Sequence, residues 1–266
     1  MFGLFGQREL LDEPSRQWLF EVYAWALRNF GTDVFYQHTA LVTPTNAHFP
    51  GRADSPHEMA RLVLEQVQHH AGLGHWPCRL SPPEAFTRES PPRLAVAGAI
   101  RGPKGVTPEG LDEQHVLDLS YDPNMVRDPE VLIAYFAHTL AHFMGTMAAE
   151  PAPGGEENWP HLTEVLAVFM GFGVMMANTA YQAPKGGCGG CAVPGGQRSS
   201  FLSQYDMTYA LALFAVLKGI GNRDVLSHLK SPLRGFYKAA VKEIGRSEEA
   251  VVPLQAIDAP LPALTS

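Results

Sequence analysis

The chain has 266 residues, 45% of them apolar, and a formal net charge of −7. That is enough apolar material for one full core, and its Lys and Arg residues, 20 against 27 Asp and Glu, form no cluster, which excludes the electrostatic footprint of a nucleic-acid binder. Three cysteines exclude a secreted disulfide framework. The longest apolar run, Val165 to Ala177, has 13 residues, short of the roughly 20 that span a bilayer, and MFGLFGQREL lacks the basic stretch and apolar run of a signal peptide. The expectation is a cytoplasmic protein with no membrane span.

The first helix is predicted over Ser15 to Phe30, where Trp18, Leu19, Val22, Trp25, Ala26 and Asn29 are spaced as one stripe and Gly31 ends the pattern. A strand-like piece, Thr39 to Thr43, and a turn-rich segment, Pro44 to Asp54, follow. Ser55, Pro56 and Glu58 form a capping box that starts a helix reaching about Ala71. The period then changes. Trp76–Leu80, Leu94–Ile100 and His115–Tyr121 are short apolar or alternating runs between Pro- and Gly-rich loops, which is how strands read.

Asp128 and Pro129 open a breaker-free helical run to Glu150, apolar on nearly every side. It carries His138 and His142, whose i, i+4 spacing places two imidazoles on one face at a separation a single metal ion can bridge. Buried imidazoles need partners, since an unpaired buried polar group costs about 1–3 kcal/mol. Metal ligation is one solution, and the alternative, commoner for an arbitrary HxxxH, is a pair of core histidines hydrogen-bonded to their neighbours. A second buried helix, His161 to Tyr181, opens with His161 and Glu164 one turn apart. A carboxylate there offers a third ligand to zinc and leaves a fourth position open. His161 is an alternative third ligand, or a fourth that closes the site. Glycines 171 and 173 inside that helix cost about 1 kcal/mol each relative to Ala, which close packing against a neighbour would justify.

Cys188 and Cys191 form a lone CxxC in the Gly-rich stretch Gln182 to Ser200, compatible with half a thiolate metal site, a redox pair or two inert thiols. Ser203 and Asp206 cap a helix over Gln204 to Lys218, a short helix is expected near Asn222 to Leu229, and Ser231 and Pro232 start another that ends near Ile244. Tyr205 is a weak candidate for a cleft contact. The domain is drawn over residues 1–250, and the Pro-rich remainder, 251–266, reads as extended or disordered.

AHTLAH at 137–142, followed by Glu164 in HLTEVLAVF, resembles the zincin metallopeptidases of the gluzincin kind, whose pattern is HExxH followed by a Glu on the next helix. Thr163, Glu164, Val168, Phe169, Gly171, Phe172, Gly173, Ala177 and Asn178 make it similar to a bacterial group in which AHELAH precedes a TD or TE pair, VFxGFG and AN. SQYDMTYALALFA also resembles that group. The resemblance implies an α+β, zincin-like fold, mostly helical, with a small sheet and a buried HxxxH helix. It further implies one zinc per chain on His138, His142 and Glu164, and a rim strand, His115 to Tyr121, whose edge could take a peptide.

Thr139 stands where the family has the Glu that takes a proton from the metal-bound water. A hydroxyl is no base near neutral pH, and loss of a general base removes about 10²–10⁴-fold of rate. The reading is therefore a zinc-binding, zincin-like pseudoenzyme that binds a peptide or protein partner. The alternative is an active zinc hydrolase with another base, Glu156 or Glu157 in the loop before the second helix, or a metal-bound hydroxide alone.

Overall fold

The computed structural model describes residues 10–82, 84, 94, 96–110, 115–181 and 198–258. Asp12 accepts a hydrogen bond from the Ser15 amide and starts α1, Glu13–Phe30. At Gly31, φ is +83°, a backbone that ends the helix before a π-type turn, Val34–His38. Residues 39–43 are not a strand. Thr39 closes back on Val34 O, and the chain then lies against a later helix break through one bond, Val42 N to Gly171 O at 2.9 Å. Ser55 caps α2, Pro56–Ala71, by accepting from the Glu58 amide.

Of the three expected strands, two form. β1, Cys78–Leu80, pairs in parallel with β2, Leu117–Leu119. Among the described residues of Leu94 to Ile100 there is a bridge between Ala97 and Val106 and no strand, and the end of the run is held in the core, where Ile100 O accepts the indole N–H of buried Trp76.

Asp128 caps α3, Pro129–Thr146, with Pro129 in the first turn. This helix stops four residues before Glu150. Asn29, buried on α1, accepts the amides of Ala149 and Glu150 at 2.9 and 3.0 Å and so takes the donors that a longer helix would use. The second buried helix is broken into α4, Trp159–Ala167, a π-type segment, Val168–Phe172, and α5, Gly173–Thr179. At the break Gly171 has φ +104°, and a Cβ there would lie 2.2 Å from Ala40 O; at Gly173 it would meet Leu211 at 2.8 Å. Both glycines are therefore required by close packing. The stretch Glu156–Thr179 is apolar enough by composition to cross a membrane, but the window that qualifies is wholly buried as a core helix.

β3, Ala180–Tyr181, and β4, Arg198–Ser199, form a second short parallel pair. Ser203 and Asp206 make a full capping box at the start of α6, Gln204–Lys218. α7, Asn222–Leu226, and α8, Ser231–Ile244, follow. α9, Glu248–Gln255, crosses the boundary drawn at residue 250, since Val251 and Leu254 are apolar on one side and bury against the core in spite of Pro253. The architecture is α+β by content: mostly helical, with α3 packed on α2, α4 and α5, α6 packed on α5 and α8, and two small parallel pairs.

Candidate metal centre

The four candidate ligands are carried by α3 and α4, which pack on each other. Burial of Leu132, Ile133, Phe136, Ala137, Leu140, Ala141 and Met144 seats α3 on its neighbours. His138 is half-buried at the edge of this seam, and its Nε2 lies 2.9 Å from Oγ1 of Thr163 on α4. The Thr163 hydroxyl donates its single hydrogen to Pro160 O, also at 2.9 Å. The bond to His138 is therefore donated by the imidazole, which places a proton on Nε2.

One turn on, His142 is exposed at the end of the same face, and its Nδ1 accepts the Trp159 indole N–H at 3.0 Å. The Trp159 ring sits where a Cβ on Gly145 would stand, 2.8 Å from its nearest atom. An imidazole that accepts at Nδ1 is neutral with its proton on Nε2. Burial of part of the ring pulls its pKa below the ordinary value, in the same direction. Metal-bound histidines are usually held the other way, with the second nitrogen donating.

Glu164, on the next position after Thr163, has no accessible surface, and its Oε2 accepts the Leu202 amide at 2.8 Å. His161, at the start of α4, has a buried Nδ1 with no hydrogen-bond partner, and its ring lies edge-on to Phe201 at 5.8 Å. The segment 201–202 thus covers both α4 candidates. Donors of the right kind for zinc are carried by two packed helices. Among the described residues, however, no three His, Cys, Asp or Glu side chains stand together as a metal-binding group.

Thr139 Oγ1 donates to Tyr135 O at 2.9 Å, a bond back along its own helix. Glu156 and Glu157 are exposed on a short 3-10 turn, Glu156–Asn158. Tyr205 is also exposed and packs on Phe236 of α8, and Asp206 is committed to the Ser203 cap. Cys188 and Cys191 lie outside the described residues. Cys78, on β1, is a free thiol that burial pushes up to about 12, which makes it inert. Sequence reasoning missed Trp159 as the partner of His142. The only signal was its position just before His161, and the contact depends on how α4 crosses α3. No family model matches this chain, nor does any curated protein or solved structure.

Proposed function

We propose that the chain is a zincin-like, zinc-binding protein without classical peptidase chemistry that holds a peptide or protein partner. The observation that carries this reading is Thr139. It stands between the two imidazoles of α3, one residue after His138, with its hydroxyl spent on Tyr135 O, so it offers no base. Glu156 and Glu157, the named replacements, are exposed carboxylates on a turn.

Zinc is supported by the kind and placement of the donors. His138 and His142 share one face of α3, Glu164 is a fully buried carboxylate on the helix packed against it, and His161 adds a buried nitrogen without a partner. His138, His142 and Glu164 would hold the ion, with His161 as the alternative ligand. Bound zinc lowers the pKa of a coordinated water towards neutrality; with threonine at position 139 no side chain there receives that water's proton.

Ligation at Nε2 would require each neutral imidazole to move its proton to Nδ1, at the expense of the His138 bond to Thr163 and of the Trp159 bond to His142. The rings stay neutral and no net proton leaves them. Long-range proton–nitrogen NMR with and without zinc reads the change. Both rings should pass from the Nε2–H to the Nδ1–H tautomer when zinc is added; rings that keep Nε2–H with zinc bound would place the ion elsewhere.

Partner binding is supported by β2, which among the described residues pairs only with β1. A peptide adding to its other edge would form main-chain bonds there.

A further inference from the structure

Two cations flank the π-type turn Val34–His38, Arg101 buried and Lys218 half-buried. Arg101 is 1% exposed. Its Nη2 donates to Thr39 Oγ1 at 2.8 Å, while Nε and Nη1 are buried with no partner. Lys218, at the end of α6, donates from Nζ to Phe35 O at 2.6 Å and to Tyr36 O at 2.7 Å. The two charges lie over a stacked aromatic pair: Arg101 is 5.5 Å from the Phe169 ring centre, Lys218 is 5.4 Å from that of Phe35, and the rings are 4.6 Å apart. The Tyr36 hydroxyl is a further buried donor without a partner.

Among the described residues neither cation pairs with a carboxylate. Burying a charge is expensive unless it is compensated. Cation–π contacts and carbonyl dipoles offset only part of that cost. The site reads accordingly: burial pulls Arg101 down to about 10, and burial together with Arg101 pulls Lys218 down to about 8. Lys218 also lines a cleft of about 410 Å³ between residues 40–48 and 218–228. Thr43, His48, Ser227 and His228 supply polar groups around it, with Asp224 as its one acidic wall.

We propose that this cleft binds a small organic carboxylate, with the Lys218 ammonium as its direct anchor and the buried Arg101 guanidinium supplying the positive field behind it. Lys218 has a third N–H beyond the two it gives to carbonyls, and a charge-assisted bond from it is the strongest this cleft can make. Asp224 disfavours ligands of higher negative charge, so a single carboxylate fits better than a phosphate dianion.

The test uses the full chain and sodium acetate as the probe, at tens of millimolar, against sodium chloride at matched ionic strength. Acetate should raise the thermal midpoint of the native protein, and Lys218→Met should abolish that rise. Arg101→Met should keep the fold, because an apolar group of similar length replaces an uncompensated charge, and should weaken acetate binding about tenfold. Acylation of Lys218 followed by mass spectrometry reads the site without any variant. Acetate should slow it and move its half-maximal pH upward. An equal response to chloride, an unchanged response in Lys218→Met, or unaltered acylation of Lys218 would each overturn the proposal.

Discussion

Trp159 donates its indole N–H to Nδ1 of His142 across the α3–α4 interface at 3.0 Å. This bond decides which nitrogen of His142 carries the proton, and it ties the α3 histidine face to the first residue of α4. Trp159→Phe removes the donor and keeps most of the ring. The pKa of His142 should then rise towards its ordinary value, because a bond that favours the neutral ring is gone. Stability should fall by about 1 kcal/mol. A histidine titration by NMR and a urea midpoint check the two effects; an unmoved His142 would mean that the indole bond does not set its protonation.

Introducing a base is the direct test of the proposed absence of peptidase chemistry. Thr139→Glu places a carboxylate between His138 and His142 and removes the bond to Tyr135 O. Zinc-dependent peptide hydrolysis should rise by about 10²–10⁴-fold over the native chain. A zinc-loaded variant with no gain would mean that the cleft does not present a peptide to the ion.

Gly171 should tolerate no side chain. Its φ of +104° is strained for any L residue, and a Cβ would sit 2.2 Å from Ala40 O. Gly171→Ala should cost more than the roughly 1–3 kcal/mol of backbone strain alone, since the segment at residue 40 must also move. A urea unfolding series reads the loss.

Stability should fall as the solution is acidified. His48, His70, His75 and His142 all have pKa values pulled below 6.5, burial being the first cause for each. The unfolded chain therefore binds more protons than the folded one below about pH 6.5, and the folded state loses ground as the pH drops through the depressed values. The urea midpoint should be lower at about pH 5.5 than at about pH 7.5. His142→Gln should remove only its own share of the slope.

Much of this fold was legible because local chemistry announced it. Asp128 with Pro129, Ser55 with Pro56, and Ser203 with Asp206 each start the helix they predict, and the capping bond is satisfied within a few residues. What failed depended on distant partners. The end of α3 is set by Asn29, 120 residues earlier in the chain, a residue counted as part of an apolar stripe. The break in the second buried helix is set by Ala40, and α9 persists through Pro253 because Val251 and Leu254 find a core to bury in. In the candidate centre, the spacing of His138 and His142 and the burial of Glu164 could be read. The hydrogen bonds to Thr163 and Trp159, which fix the proton positions, could not, since they arise only once α3 and α4 cross.

The proposed zinc at His138, His142 and Glu164 is tested most directly by elemental analysis of protein purified without a histidine tag or added metal, beside the His138→Ala, His142→Ala double variant. About one zinc per chain, absent from the variant and held more tightly as pH rises, is the predicted result. No zinc in the native chain, or equal zinc in both proteins, would contradict it.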